Sequence, residues 1–190
     1  MGVAGMSNPS VAAYGSISSL DENLAAQIVD VLVAAIAARG EASLVVSGGS
    51  SPIGFFQCLS RFDIAWQRVS IWLADERWVS AQDAQSNEKL VHTYLLQNFA
   101  AKARFMPLAG EHFSSGASAE QAALGLQQTH QHQSAFDLVI LGMGLDAHTA
   151  SLFPGISELV TGLDAASDSH FIATQSPAAP HQRISMTLAR

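Results

Sequence analysis

Residues 136–154 read FDLVILGMGLDAHTASLFP. The first six of them are almost wholly apolar, with Asp137 as the exception, and are rich in branched side chains, which is typical of a strand buried on both faces of a parallel sheet. Gly142 and Gly144 then permit a sharp turn and a close approach of the backbone to a ligand. Asp146 and His148 follow directly. Because ligands of open α/β sheets bind at the carboxyl ends of the strands, we identify His148 as the candidate reactive group.

The remaining predicted elements alternate between helices and strands. Ser19 and Glu22 have capping-box spacing before a helix that Gly40 ends, and Ser51 and Pro52 are typical of a helix start. Strands are predicted at 42–46, 69–74, 104–108, 136–141 and 171–174, and helices at about 52–60, 87–99 and 118–131, with a helical segment at 184–189. This order predicts an α/β fold with three layers, αβα. Its central sheet would be doubly wound and mostly parallel, as in Rossmann-like proteins.

The size and composition of the chain predict one domain. It has 190 residues, of which 48% are hydrophobic and 13% charged, enough for one sizeable core over residues 1–190. The formal net charge is −7 and the nine basic residues are spread along the chain, which argues against a nucleic-acid surface.

Cysteine usage and the N-terminus indicate a compartment. The single cysteine, Cys58, excludes an internal disulfide and is expected to be an inert thiol in a helix. Residues 1–18 have no basic start and no long apolar run, so neither a signal peptide nor a membrane span is predicted. We therefore expect a cytoplasmic protein that is a monomer or a weak dimer.

A glycine loop follows the strand predicted at 42–46. Its residues Ser47, Gly48, Gly49 and Ser50 lie between a strand and a helix start, where backbone N–H groups and the helix dipole can hold a phosphate without lysines. An ordinary tight turn is the alternative. The lysine of a P-loop is absent.

A charged turn, Asp75-Glu76-Arg77, follows the strand predicted at 69–74. A solvated turn is one interpretation of these charges. Its position after a buried strand favours another, in which it opens toward the same crevice as the other two loops. Arg77 would then neutralise substrate charge, and Asp75 would accept hydrogen bonds from sugar hydroxyls.

Two further binding patterns are disfavoured. Gly142, Gly144 and Ala147 match a dinucleotide-binding fingerprint with an acid about 20 residues later. A dinucleotide-binding unit needs a long helix after the glycines, and Pro154 comes too early for such a helix. His130 and His132 lie two apart on a predicted helix and so face different directions, and no metal site is predicted.

Three segments together resemble the 6-phosphogluconolactonases, within the wider glucosamine-6-phosphate isomerase-like superfamily. They are LVVSGGSSP at 44–52, DER at 75–77 with Ser86-Asn87, and LGMGLDAHTASLFP at 141–154; a weaker fourth match is 180–185 with Arg183. The resemblance covers most of the chain from Leu20 onward. It implies hydrolysis of 6-phospho-D-glucono-1,5-lactone to 6-phospho-D-gluconate in the oxidative pentose phosphate pathway, with a small-molecule sugar phosphate as partner and no cofactor.

The resemblance implies roles for His148 and for the loop at 47–50, and the chemistry of Asp146 and Arg77 suggests roles for these two residues. His148 would be the general base, which suits a side chain that titrates near neutral pH. Asp146 would orient the ring or bind a hydroxyl, and Arg77 would fix the anionic substrate or stabilise charge on the carbonyl oxygen. The loop at 47–50 would lie near the phosphate. Gly144, Asn87 and Arg183 complete the implied substrate-binding set.

The sequence departs from the family pattern at three places, of which Ser80, in place of a common proline, is expected to change only the stiffness of its loop. Ala147 stands where the family usually has glycine, and a positive φ there would cost roughly 1 kcal/mol or more. The family's C-terminal segment, with a lysine on the phosphate side, has no counterpart in residues 1–190, so we expect a lactonase domain that lacks this segment.

Two alternative functions remain. Glucosamine-6-phosphate deaminases carry a further acid just after the Asp-x-His turn, where this chain has Leu152-Phe153-Pro154. A sugar-phosphate-sensing domain of a transcription regulator should carry a basic helix-turn-helix, and the roughly 20 residues before the first predicted helix cannot hold one.

Overall fold

The computed structural model describes residues 10–176 and 180–190. In chain order its helices and strands are α1 (Ile17–Arg39), β1 (Ala42–Val46), α2 (Ile53–Leu59), β2 (Val69–Leu73), β3 (Asp75–Arg77), α3 (Asn87–Tyr94), β4 (Arg104–Met106), α4 (Gly110–Ser114), α5 (Ala119–His130), β5 (Leu138–Val139), α6 (Leu159–Gly162), β6 (Phe171–Gln175) and β7 (Gln182–Met186). Short 3-10 turns lie at Trp66–Arg68 and Asn98–Lys102. None of the helices in these two ranges has the length and apolar character needed to cross a membrane.

The main sheet has four parallel strands in the order β4-β2-β1-β5. The apolar residues of β1 and β2 are almost wholly buried, and helix α1 packs on β1 and on α2. The α/β fold predicted from the alternation of strands and helices is confirmed. Because parallel strands end at one edge, the segments that follow β1, β2 and β5 meet there.

A second, antiparallel sheet has the order β3-β7-β6 and was not predicted. Asp75–Arg77, expected to be a turn, forms β3 and pairs with β7. The helical segment expected at 184–189 is wrong, because Gln182–Met186 forms the central strand of this sheet. Short apolar runs are ambiguous between helix and strand, and here pairing with distant strands decides.

The predicted helix boundaries are partly confirmed. Gly40 ends α1 with φ +82°, and the capping box of Ser118 and Gln121 opens α5. The capping box expected at Ser19 is wrong, because Ser16 is the N-cap of α1 and accepts from the Ser19 N–H.

Two further helix predictions are corrected. The N-cap of α2 is Pro52 and not Ser51, and no side chain caps this helix. Helix α3 ends at Tyr94 rather than near Phe99, and the chain then turns through Asn98, which has φ +49°. A left-handed residue cannot continue a right-handed helix.

Strand β5 is shorter and more exposed than predicted. Only Leu138–Val139 forms a strand, and among the described residues it pairs with β1 alone. Val139 is 46% exposed and Leu141 is 51% exposed, so the expectation of a strand buried on both faces is wrong. An apolar run identifies a strand, but it does not distinguish the centre of a sheet from its edge.

Candidate active site

A cleft of about 370 Å³ opens at the carboxyl ends of β1, β2 and β5. It brings together most of the residues that the sequence singled out. Those that line it are Ser47, Gly48, Gly49, Asp75, Arg77, Asn87, Gly144, His148 and Arg183. Ser50 and Asp146 lie outside the lining. Four segments that are far apart in the sequence therefore form one site.

The imidazole of His148 is paired with Asp146. Its Nδ1 lies 2.5 Å from Asp146 Oδ1, and this hydrogen bond lowers the pKa of the Asp146 carboxyl. An ionised carboxylate can only accept, so Nδ1 carries the hydrogen. The His148 side chain is 30% exposed, and its Nε2 is the nitrogen left to accept a proton.

A tight turn sets the position of this pair. The Gly144 N–H donates to the His148 carbonyl at 2.8 Å, and the Ala147 N–H donates to the Gly144 carbonyl at 3.0 Å. A Cβ at Gly144 would lie 2.3 Å from the His148 ring, so only glycine leaves room for the imidazole. Ala147 has φ +67°, the left-handed conformation that a side chain disfavours.

We expect the Ala147→Gly substitution to stabilise the protein by about 1 kcal/mol, because glycine adopts positive φ without strain. The free energy of unfolding in denaturant measures this change. Ala166→Gly is the matched control, since Ala166 is an exposed turn residue outside the positive-φ set. The control should lose stability through the entropy of the unfolded chain. A loss of stability in both variants would contradict strain at Ala147.

Two arginines face each other across β3 and β7. Arg77 and Arg183 are directly opposite in the register and both line the cleft. Burial lowers the pKa of Arg183, the nearby Asp75 raises it, and Arg77 lowers it again. Like charges directly opposite are unfavourable. This end of the cleft therefore carries the positive charge of two guanidinium groups, which suits an anion.

Asp75 is held by several neighbours. Its Oδ2 accepts from the Ser151 hydroxyl at 2.5 Å and lies 3.6 Å from Arg183 Nη1. Asn87 Nδ2 donates to the Asp75 carbonyl at 2.8 Å and approaches Oδ1 at 3.4 Å. Sequence reasoning missed Ser151, which is fully buried, because no local pattern distinguishes it from other serines after His148.

Glu76 was also missed, and it joins β3 to the N-terminus of α3. It is 1% exposed, and its carboxylate accepts hydrogen bonds from the backbone N–H groups of Arg77, Asn87 and Glu88 at 2.7, 2.8 and 2.7 Å. The Ser86 hydroxyl donates at 3.0 Å. Burial raises the pKa of this carboxyl, and the hydrogen bonds oppose the shift. Strand alternation, which turns Glu76 away from Asp75 and Arg77, was the available signal.

We expect Glu76→Gln to destabilise the protein by about 1–3 kcal/mol, because an amide NH₂ placed against backbone N–H groups leaves buried donors unpaired. Chemical denaturation at neutral pH gives the change. Glu41→Gln makes the same substitution at an exposed position and should stay within about 0.5 kcal/mol of the wild type. Equal stability of the two variants would show that Glu76 does not hold this junction.

The glycine loop is fixed from two sides. The Ser47 hydroxyl donates to the Ile140 carbonyl at 3.1 Å, which ties the loop to the segment after β5. A Cβ at Gly48 would lie 1.8 Å from Asn87 Oδ1, and Gly49 has φ +90°, so both positions require glycine. No described residue accepts a hydrogen bond from the N–H of Gly48 or Gly49. These donors remain available to a ligand.

Metal-ligating side chains are not grouped in this part of the molecule. Within residues 10–176 and 180–190, no three His, Cys, Asp or Glu side chains come together as possible ligands.

A family model, sequence relatives and a solved structure all show that this chain is similar to the same family of proteins. A family model described as glucosamine-6-phosphate isomerases/6-phosphogluconolactonase matches residues 16–190. The 6-phosphogluconolactonase of Pseudomonas putida is 43% identical over 89% of this chain and 68% of its own length, and that of Pseudomonas aeruginosa is 41% identical over 93% and 73%. The crystal structure of a 6-phosphogluconolactonase from Shewanella baltica is 43% identical, with a TM-score of 0.85 over 92% of this chain and 72% of that one.

Proposed function

Because the chain belongs to the family of glucosamine-6-phosphate isomerases and 6-phosphogluconolactonases, we propose that it hydrolyses 6-phospho-D-glucono-1,5-lactone to 6-phospho-D-gluconate in the oxidative pentose phosphate pathway. The observation that carries this proposal is the His148–Asp146 pair, which lies in a cleft that also contains two arginines. An imidazole, an anion site and backbone donors are the groups that hydrolysis of a phosphorylated lactone needs.

His148 acts as the general base in the proposed reaction. Its Nε2 takes a proton from a water molecule, and the water oxygen forms a bond to the lactone carbonyl carbon. When the tetrahedral intermediate collapses, the bond from this carbon to the ring oxygen breaks. The ring oxygen then receives the proton from the imidazolium, which leaves an open-chain acid and restores the neutral base.

Asp146 supports this base from the other side of the ring. Its carboxylate accepts from Nδ1, so it holds the tautomer in which Nε2 is unprotonated and stabilises the imidazolium as it forms. Phe153 also packs near the imidazole, with ring centroids 4.5 Å apart, and restricts its rotation. Asp146 is therefore a positioning residue for His148.

Arg77 and Arg183 bind the phosphate together with the N–H groups of Gly48 and Gly49. An anion placed between the two guanidinium groups relieves their mutual repulsion and accepts charge-assisted hydrogen bonds from them. Asp75 and Asn87 keep Arg183 and the glycine loop in position. Ser47 and Ser50 belong to the same loop and complete the proposed set.

The residues after the imidazole favour hydrolysis over isomerisation. Proton transfer between adjacent carbons needs a further acid near His148. The corresponding positions here are Leu152 and Phe153, which are apolar and buried. Glucosamine 6-phosphate should therefore not be turned over, and its deamination by the wild type would replace this proposal with the alternative function.

We expect His148→Ala to lower kcat by about 10²–10⁴-fold, because the general base is removed. Hydrolysis of freshly prepared lactone, corrected for the spontaneous reaction, measures the effect. His132→Ala is the matched control, since His132 is an exposed histidine outside the cleft, and it should keep wild-type kcat. If the folded His148→Ala variant is as active as this control, the mechanism is wrong.

We expect Arg77→Gln to raise KM by about tenfold or more with a smaller change in kcat, because hydrogen bonds to a charged group are lost. Steady-state kinetics at constant ionic strength separates the two constants. Arg68→Gln removes the same charge from an exposed position outside the cleft and serves as the control. A fall in kcat alone would instead assign Arg77 to stabilisation of the carbonyl oxygen.

A further inference from the structure

The first turns of α1 form one wall of the cleft, and they contribute a carboxylate that the sequence did not single out. Asp21 lies in this wall beside Leu20 and Leu24. It is only 7% exposed. Its carboxylate packs against α2, where a Cβ at Gly54 would lie 1.9 Å from Asp21 Oδ2. The absence of a side chain at Gly54 thus gives the carboxylate its place at the edge of the cleft.

Within the described part of the chain, Asp21 differs from the other two carboxylates of the site in having no hydrogen-bond or ion-pair partner. Asp146 is bound to His148, and Asp75 accepts from Ser151 and lies beside Arg183. Among the residues that the structure describes, none donates a hydrogen bond to Asp21 or forms an ion pair with it. The residue as a whole is largely buried, but its carboxylate oxygens are not among the fully buried atoms without a partner, so they can accept hydrogen bonds from a ligand in the cleft.

The charge of Asp21 restricts which part of the ligand it can contact. A carboxylate repels a phosphate, so the phosphorylated end of the substrate cannot lie against it. The ring of a sugar lactone carries several hydroxyl groups, and each can donate a hydrogen bond to a carboxylate. The two arginines, Arg77 and Arg183, are on β3 and β7 and attract the opposite end of the same molecule.

We propose that Asp21 is a specificity-determining residue that accepts hydrogen bonds from the hydroxyl groups of the lactone. It thereby directs the phosphate toward Arg77 and Arg183 and the carbonyl toward His148. This inference rests on the proposed function. It adds to that function by identifying the part of the cleft that binds the sugar hydroxyl groups rather than the phosphate.

The Asp21→Asn variant tests the proposal, because the amide keeps the shape of the side chain and removes its charge. We expect KM for the lactone to rise by about tenfold or more, while kcat changes by less than about threefold. Asp30→Asn is the matched control, since it removes the same charge from an exposed position on the same helix. Wild-type KM in Asp21→Asn would overturn the proposal.

A second measurement tests whether Asp21 contacts the sugar directly or only supports the glycine loop at 47–50. Inorganic phosphate is used as a competitive inhibitor, because it probes the anion site without any sugar hydroxyl. Its inhibition constant should be unchanged or lower in Asp21→Asn, since a repelling charge has been removed. If phosphate inhibition weakens in step with the rise in KM, Asp21 acts only through the loop, and the proposal is wrong.

Gly54→Ala gives an independent check through the position of the carboxylate. The added Cβ displaces the Asp21 side chain and should raise KM as Asp21→Asn does. In an Asp21→Ala variant the Asp21 carboxylate is absent, so the Cβ added by Gly54→Ala displaces nothing. The double variant should therefore have nearly the same KM as Asp21→Ala alone. Additive effects of Gly54→Ala and Asp21→Ala on KM would contradict the proposal.

The proposed function and this inference fail in different ways. A wild type that does not hydrolyse the lactone would overturn the proposed function. An active wild type together with an unchanged KM in Asp21→Asn would overturn only this inference.

Discussion

The carboxylate of Glu76 lies where strand β3 meets the N-terminus of helix α3, and it accepts hydrogen bonds from both elements. A buried carboxylate with four donors is a strong constraint, because moving either element would leave charge or backbone N–H groups unpaired. The junction sets Asp75 and Arg77 on the cleft side of β3 and Asn87 at the start of α3. Asn87 in turn packs against Gly48, so the position of the glycine loop depends on the same carboxylate.

Three glycines place three polar side chains in the site. At Gly48, Gly54 and Gly144, the space that a Cβ would occupy is taken by the side chains of Asn87, Asp21 and His148 respectively. Each contact brings a functional group to within van der Waals distance of a backbone, and no larger residue permits that approach. These three glycines therefore leave space for side chains of the site to pack against the backbone, in addition to the role that glycines have in turns.

The cleft has an uneven distribution of charge. Two arginines lie on the side of β3 and β7, the imidazole lies after β5, and the carboxylate of Asp21 lies on α1. In the proposed arrangement, a ligand with an anion at one end and hydroxyl groups along its ring places the anion toward the arginines and the hydroxyl groups toward Asp21. Such an arrangement fixes the carbonyl relative to His148 through contacts at both ends of the substrate, which is how positioning lowers a reaction barrier.

Local sequence patterns determined several features of this protein. They identified the strand Ala42–Val46, the end of α1 at Gly40, the capping box of α5 and the segments that contribute His148, Arg77 and the glycine loop. The helix end and the capping box depend on interactions within a few residues, and the strand and the site segments were recognisable from a local apolar run and short motifs. Strand β7 at Gln182–Met186, the pairing of Arg77 with Arg183 and the edge position of β5 were decided by tertiary structure. The position of Asp21 in the wall of the cleft was decided in the same way. Strand pairing and side-chain burial depend on residues that are distant in the sequence, and no short window of residues contains that information.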